Sequence, residues 1–435
     1  MPSRSANWLA VVAGLVMTEA CTTAVHDSSA ASSPGDDAGA PDDDGAASSG
    51  PDVTDQYPAF SPAAPQVVSA GGSVLSAPRI VPVFFPGETQ ASTFTDAITK
   101  YLASEEWRAS TVEYGVGAAT AAAPVQSADP FPAGLATSDF ALWLASHLDG
   151  THPEWGPTDD ATLASSIFVL YPPAGSSLYA PPNLSTPLTP ALCGPHPWDL
   201  EGWHWQTTPA PGPAPAIVFA IVGACTSGGL ALTDRMTATT THEIVEAATD
   251  PHFVTAPAFN GVDDAHAFWM ELTGAGEVGD LCGQELTTPP DVGYLVQRTW
   301  SNVAARAGHD PCVPAVAPAY FNVTVDAPDG FYDPYAGVTV QGLIIPGGQS
   351  RTVDVHLFSD GPTDAWKITA IDPNAAAGGA ALLKLTLDRD TGANGDVLHL
   401  TIAPLSDADA QTALYQIDST LHGVTQHWYG EIAVQ

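Results

Sequence analysis

Basic residues are scarce in this chain. Lys and Arg together number 11 against 48 Asp and Glu, which leaves a formal net charge of −37 over 435 residues. Nucleic-acid affinity is supplied mainly by basic patches on phosphate, so this chemistry excludes a nucleic-acid partner. Long apolar runs are also missing after residue 20, so the rest of the chain offers no segment able to cross a bilayer. Cysteines number five, too few for a disulfide-dense miniature fold.

The amino terminus carries an address. Arg4, an apolar stretch from Trp8 to Met17 and the ending Thr18-Glu19-Ala20 read as a secretory signal peptide over residues 1–20. Cys21 follows directly and is a candidate for lipid attachment, which would hold the exported chain to a membrane surface. Cys193, Cys225, Cys282 and Cys312 then remain, an even number suited to an oxidising compartment. Four cysteines allow three pairings, of which we favour Cys193–Cys225 with Cys282–Cys312. Residues 21–66 are read as a disordered acidic linker of Ser, Ala, Pro and Gly, a composition that cannot bury enough apolar surface to order itself. Its clusters Asp36-Asp37 and Asp42-Asp43-Asp44 lack the spacing of a calcium-coordination loop.

Chemistry concentrates in His242-Glu243-Ile244-Val245-Glu246. On a helix, positions i and i+4 share one face, so His242 and Glu246 project to a common point. Glu243 stands beside that point, where it could deprotonate a water. The arrangement follows the zinc-protease helix H-E-x-x-H with Glu in place of the second His. Thr233 or Asp234 is the expected cap, and Asp250-Pro251 the stop, because a residue before proline avoids the α region. Zinc needs a third protein ligand. Candidates are Asp280 first, then Glu277, both in Glu277-Val278-Gly279-Asp280-Leu281-Cys282, and third His252, ten residues after His242. The spacing to His252 matches a longer protease motif that requires glycine where this chain has Thr249.

These stretches occur in a recognisable order. The helix segment from His242 to Pro251, then Glu277 to Cys282, then Tyr294-Leu295-Val296-Gln297 and Trp300-Ser301-Asn302, resemble the plant Exordium (phosphate-induced protein 1) family and its secreted bacterial relatives. Gly71 to Leu75 and Ile80 to Phe85 are similar to that family's opening strand, and the resemblance spans about residues 67–315. It implies a secreted protein with a zincin-like helix and favours Asp280 and Glu277 over His252 as ligands.

Periodicity supplies the fold class, an α+β architecture with a metal-helix domain at 67–315 followed by a β-sandwich accessory domain at 316–435. Apolar runs at 80–85, 167–171 and 217–222 read as buried strands. Phe94, Ile98, Tyr101 and Leu102 recur at helical spacing, and Ser138 is placed to cap a helix carrying Phe140, Trp143 and Leu144. Residues 294–300 alternate as one edge strand. Past residue 316, segments at 321–325, 353–357, 383–387 and 398–402 alternate apolar with polar, and Asn394-Gly395 marks a turn. An aromatic loop, Cys193 to Trp198 with Gly202-Trp203-His204-Trp205, is read as disulfide-tied packing more than as a ligand source. Thr226-Ser227-Gly228-Gly229 has no nucleophile-elbow pattern. The expectation is an exported zinc-dependent hydrolase acting on a peptide or protein substrate, with His242, Glu246 and Asp280 on Zn²⁺ and Glu243 as base. The alternative is a non-catalytic surface binding protein with a structural metal.

Overall fold

Residues 56–180, 189–195, 199–207, 215–226, 229–405 and 412–435 are described by the computed structural model of the chain. The signal segment, Cys21, the Asp clusters, His196 to Trp198 and Ser227-Gly228 lie outside the described residues.

The architecture is mixed α+β. A central sheet runs in the order Thr120–Ala121, Arg79–Phe84, Ser166–Tyr171, Val218–Val222, Gly202–Gln206, with Val125–Gln126 also paired to Arg79–Phe84. All pairings in it are parallel except the last, where Gly202–Gln206 runs antiparallel to Val218–Val222. Its three middle strands, Arg79–Phe84, Ser166–Tyr171 and Val218–Val222, are near-continuous apolar runs because both faces are covered. Ile80, Phe84, Ile167, Val169, Val218 and Ala220 face the helix Leu232–Thr249, through Met236, Ile244 and Val245. Val81, Val83, Phe168, Leu170, Phe219 and Ile221 face the helix Thr137–His147, through Phe140 and Leu144.

Helix Leu232–Thr249 contains six threonines and would be a poor helix alone. Burial holds it. The hydroxyls of Thr240 and Thr249 fold back onto the carbonyls of Met236 and Val245, at 2.7 and 2.9 Å, so their polar atoms do not compete with packing. Its start differs from the expected cap: Ala231 is the N-cap and no side chain bonds there, while Thr233 donates to Gln90 Oε1. Likewise Thr137–His147 begins after Ala136 rather than at a Ser138 cap, and the Thr137 hydroxyl goes to the Tyr179 carbonyl. Residues 294–300 form two short strands, Val296–Gln297 and Thr299–Trp300, instead of one. Between them Arg298 is buried with Glu285, Asp310 and the Cys312 carbonyl, an anchor that breaks the alternation.

The carboxy-terminal residues build two sheets. One runs Phe321–Val325, Arg351–Ser359, Val397–Pro404, Leu383–Leu387; the other runs Asp329–Asp333, Val338–Ile345, Val424–Val434, Thr412–Leu421, Trp366–Ile371, Thr391–Gly392. Phe321 of the first meets Trp366 of the second at 5.5 Å between ring centroids, giving a sandwich-like packing. The core is continuous with the rest of the molecule, since Trp269 packs on Trp428 and Tyr429 at 5.5 and 4.8 Å. Residues 56–66, assigned above to the linker, are packed: Phe60 lies edge-on to Phe358 at 5.6 Å and Pro62 is buried, so the acidic segment ends before residue 56. Their polar backbone finds specific partners here, which composition does not report.

Candidate metal centre

The favoured cysteine pairing is found. Cys193–Cys225 and Cys282–Cys312 are bridged, with Cα separations of 5.0 and 5.8 Å. The second bridge tethers the short turn Asp280–Cys282 to the strand Cys312–Val313. Trp300 N–H donates to the Val278 carbonyl at 2.8 Å, and Gln297 Nε2 donates to the Gly279 carbonyl at 2.8 Å. Together these contacts hold the Glu277–Cys282 stretch against the helix Leu232–Thr249.

Close approach there demands glycine. A Cβ on Gly279 would lie 2.6 Å from Glu246 Oε1 and 2.8 Å from His242 Nδ1. Any side chain at this position would push the turn off the helix face, and Asp280 with it.

Across that contact the donors converge. His242 Nε2 is 3.0 Å from Glu246 Oε2 and 3.9 Å from Asp280 Oδ1. Three donors around a tetrahedral zinc would be about 3.3 Å apart at bond lengths near 2.0–2.1 Å, so the set fits such an ion after small adjustment. His242 Nδ1 meets Gln297 Oε1 at 3.1 Å, which places a ring proton on Nδ1 and makes Nε2, the nitrogen facing Glu246, the atom that would bind a metal. Glu277 N–H donates to Asp280 Oδ2 at 3.0 Å, orienting that carboxylate.

A further histidine joins them. His204 sits on Gly202–Gln206, which is a strand and not a loop. Strand alternation sends Trp203 to the far face and His204 to the helix side. His204 Nδ1 is 3.8 Å from both Glu243 Oε2 and Glu246 Oε2, and its Nε2 is 3.6 Å from Glu277 Oε1. Two donor groups therefore share Glu246: His242–Glu246–Asp280 and His204–Glu246–Glu277. His252 belongs to neither. Asp250 ends the helix instead, accepting from Ala258 N–H and Asn260 Nδ2 at 2.6 and 2.8 Å.

Charge is the site's unresolved account. Among the described residues, no Lys or Arg pairs with Glu243, Glu246, Glu277 or Asp280. Glu243 and Glu246 are each only 3 % exposed, and Glu243 Oε2, Glu246 Oε1 and Glu277 Oε1 have no hydrogen-bond partner. Burial, then the negative charges of Glu246 and Asp280, pushes the Glu277 carboxyl well above its ordinary range. Burial, then Glu246, raises Asp280 to about 8. Burial alone would lower His242, but Glu246 beside it wins and holds the ring well above the usual value. Glu246 is correspondingly held down: burial raises it, and His242 more than offsets that. Orphaned carboxylate oxygens aimed at imidazole nitrogens are the donor chemistry of a divalent cation, which would supply the missing positive charge.

No family model matches the chain, and no curated protein matches it either. Among solved structures, an I-band fragment of titin is 18 % identical with a TM-score of 0.17, covering 28 % of this chain and 34 % of that one. A titin domain in a trigonal crystal form is 16 % identical with a TM-score of 0.15, covering 22 % of this chain and 86 % of that one. A Bacteroides ovatus xyloglucanase in complex with a heptasaccharide scores 0.15 at 13 % identity, covering 22 % and 17 %. Scores this low carry no argument about this molecule.

Proposed function

We propose that the chain is an exported zinc-dependent metallohydrolase, most concretely a peptidase, of the Exordium-like, zincin-helix type. The observation that carries the reading is the convergence of His242 Nε2, Glu246 Oε2 and Asp280 Oδ1, with Gln297 fixing the histidine tautomer. His242, Glu246 and Asp280 would hold zinc. When bound, the ion supplies Lewis acidity toward a scissile carbonyl and lowers the pKa of a water to near neutrality. Glu243, one residue from His242 and buried against Gly202, would be the base that accepts a proton from the attacking water and the acid that gives it to the leaving amine. His204, 3.8 Å from Glu243, bears on its charge and orientation. Two disulfides fit export to an oxidising compartment, and no helix among the described residues is long and apolar enough to cross a membrane. A lipid on Cys21 would give membrane attachment.

One observation favours a second reading, a non-catalytic cell-surface or extracellular binding protein with a structural metal. His204 approaches the shared Glu246, and a fourth protein donor would close the coordination shell. The test is elemental analysis of the purified chain beside His242→Ala, with digestion of a peptide library by wild type and Glu243→Gln. Zinc lost in His242→Ala and cleavage lost in Glu243→Gln with zinc retained is the expected pattern. Zinc at full stoichiometry in His242→Ala removes the ligand assignment, and an inactive wild type with bound zinc selects the binding reading.

A further inference from the structure

A second acidic cluster lies away from the zinc donors, where the short helix Trp269–Thr273 meets the carboxy-terminal sheet. Glu271 comes from that helix, Asp333 from the end of Asp329–Asp333, and Glu431 from Val424–Val434. One carboxylate oxygen from each lies within 4.8 Å of the others. Asp333 is fully buried and Glu431 is 1 % exposed. Asp333 uses its oxygens to accept from the N–H groups of Tyr335 and Ala336, at 2.8 and 3.1 Å, which fixes its position. Glu431 is different: neither of its oxygens makes a hydrogen bond of good geometry, although the Thr412 hydroxyl stands near, and Glu271 Oε1 makes none, although Asp333 lies beside that carboxyl. Three carboxyls share this interior with no Lys, Arg or His in ion-pair range of them among the described residues.

We propose that Glu271, Asp333 and Glu431 form a calcium site that clamps the helix Trp269–Thr273 to the sandwich-like sheets. The donors are all carboxylate oxygen, which selects a hard cation over zinc or copper. A calcium ion about 2.4 Å from each oxygen bridges donors up to about 4.8 Å apart, whereas magnesium at about 2.0–2.1 Å demands a tighter cage and keeps its waters. Three carboxylates offer up to six oxygens, and water completes the shell. Without a cation, burial, then the charges of Glu431 and Asp333, raises Glu271 to about 9, and burial, then Asp333, raises Glu431 to about 8. The site is independent of the zinc reading and survives its failure.

The experiment is thermal unfolding of the EGTA-treated chain against added CaCl₂, beside terbium luminescence excited through tryptophan. Trp269 and Trp428 flank the cluster on the helix and strand that carry Glu271 and Glu431, so bound terbium would be sensitised. Saturating calcium should raise Tm by about 5 °C at a hundredfold excess over Kd. Glu431→Gln should abolish that rise and the emission, and His242→Ala should keep both. Should Glu431→Gln fail to fold, Glu271→Gln decides, with at least a tenfold weaker calcium response expected. A wild type that shows neither a calcium-dependent Tm nor sensitised emission overturns the proposal, as does an unchanged response in the glutamine variants.

Discussion

Two buried acidic clusters can be set side by side. The cluster on the helix Leu232–Thr249 mixes two imidazoles with its carboxylates, while Glu271, Asp333 and Glu431 have none. Both lack a resident arginine or lysine, in a chain with only 11 of them. The comparison teaches that scarcity of fixed cations leaves interior carboxylates to be neutralised by something exchangeable, and that neighbouring histidines decide which ion suits. Nitrogen donors point to zinc and chemistry; oxygen alone points to calcium and structure.

The largest expected effect breaks the pair apart functionally. Glu243→Gln should lower peptide cleavage by about 10²- to 10⁴-fold with zinc retained, read by turnover and elemental analysis on one sample. The same substitution in the all-oxygen cluster, Glu431→Gln, should leave cleavage in place. Next comes the disulfide that seats Asp280. Replacing Cys282 and Cys312 by Ser removes a constraint over 30 residues, which should cost about 3 kcal/mol in denaturant unfolding and weaken zinc in parallel. Gln297→Ala should weaken zinc by about 10- to 100-fold through loss of the His242 tautomer lock, whereas His252→Ala should leave zinc unchanged, both read by competition with a chelator.

The smallest effect uses a carboxylate that does have an arginine. Asp329 accepts from the Ile344 N–H at 2.9 Å and pairs with Arg351, and these hold its pKa below the ordinary range. A depressed folded pKa contributes stability above the unfolded value, near 3.9, that is lost as pH falls through the folded one. Arg351→Ala should therefore cost no more than about 1 kcal/mol at pH 7, with the difference fading below about pH 4.

Much of the site was legible in sequence because its signals are local. His242, Glu243 and Glu246 are set by helical spacing alone, and Asp280 by its glycine-flanked turn next to a cysteine. His204 was quoted but read as packing, since a Gly-Trp-His-Trp string shows no partner until strand pairing brings Ile221 and Ala220 alongside it. Alternation within that strand would have separated His204 from its two tryptophans. The Glu271 cluster left no trace, because its members are separated by 62 and 98 residues and meet only through tertiary packing. His252, ranked third because Thr249 stands where the longer motif has glycine, lies outside both donor groups, and Asp250 beside it accepts from Ala258 and Asn260.

The packed segment at residues 56–69 has a consequence for the order of assembly. Ala59 N–H donates to Asn394 Oδ1, 335 positions later, and Val67–Ser69 pairs with Phe259–Val262. Contacts of such separation carry a large loop-closure cost until the intervening chain is organised. The first described residues to leave a ribosome thus have partners that are among the last to be made. Cutting the chain before the final sheets would leave Phe60 without Phe358 and Ala59 without Asn394, so the amino-terminal segment is completed by the carboxy-terminal one.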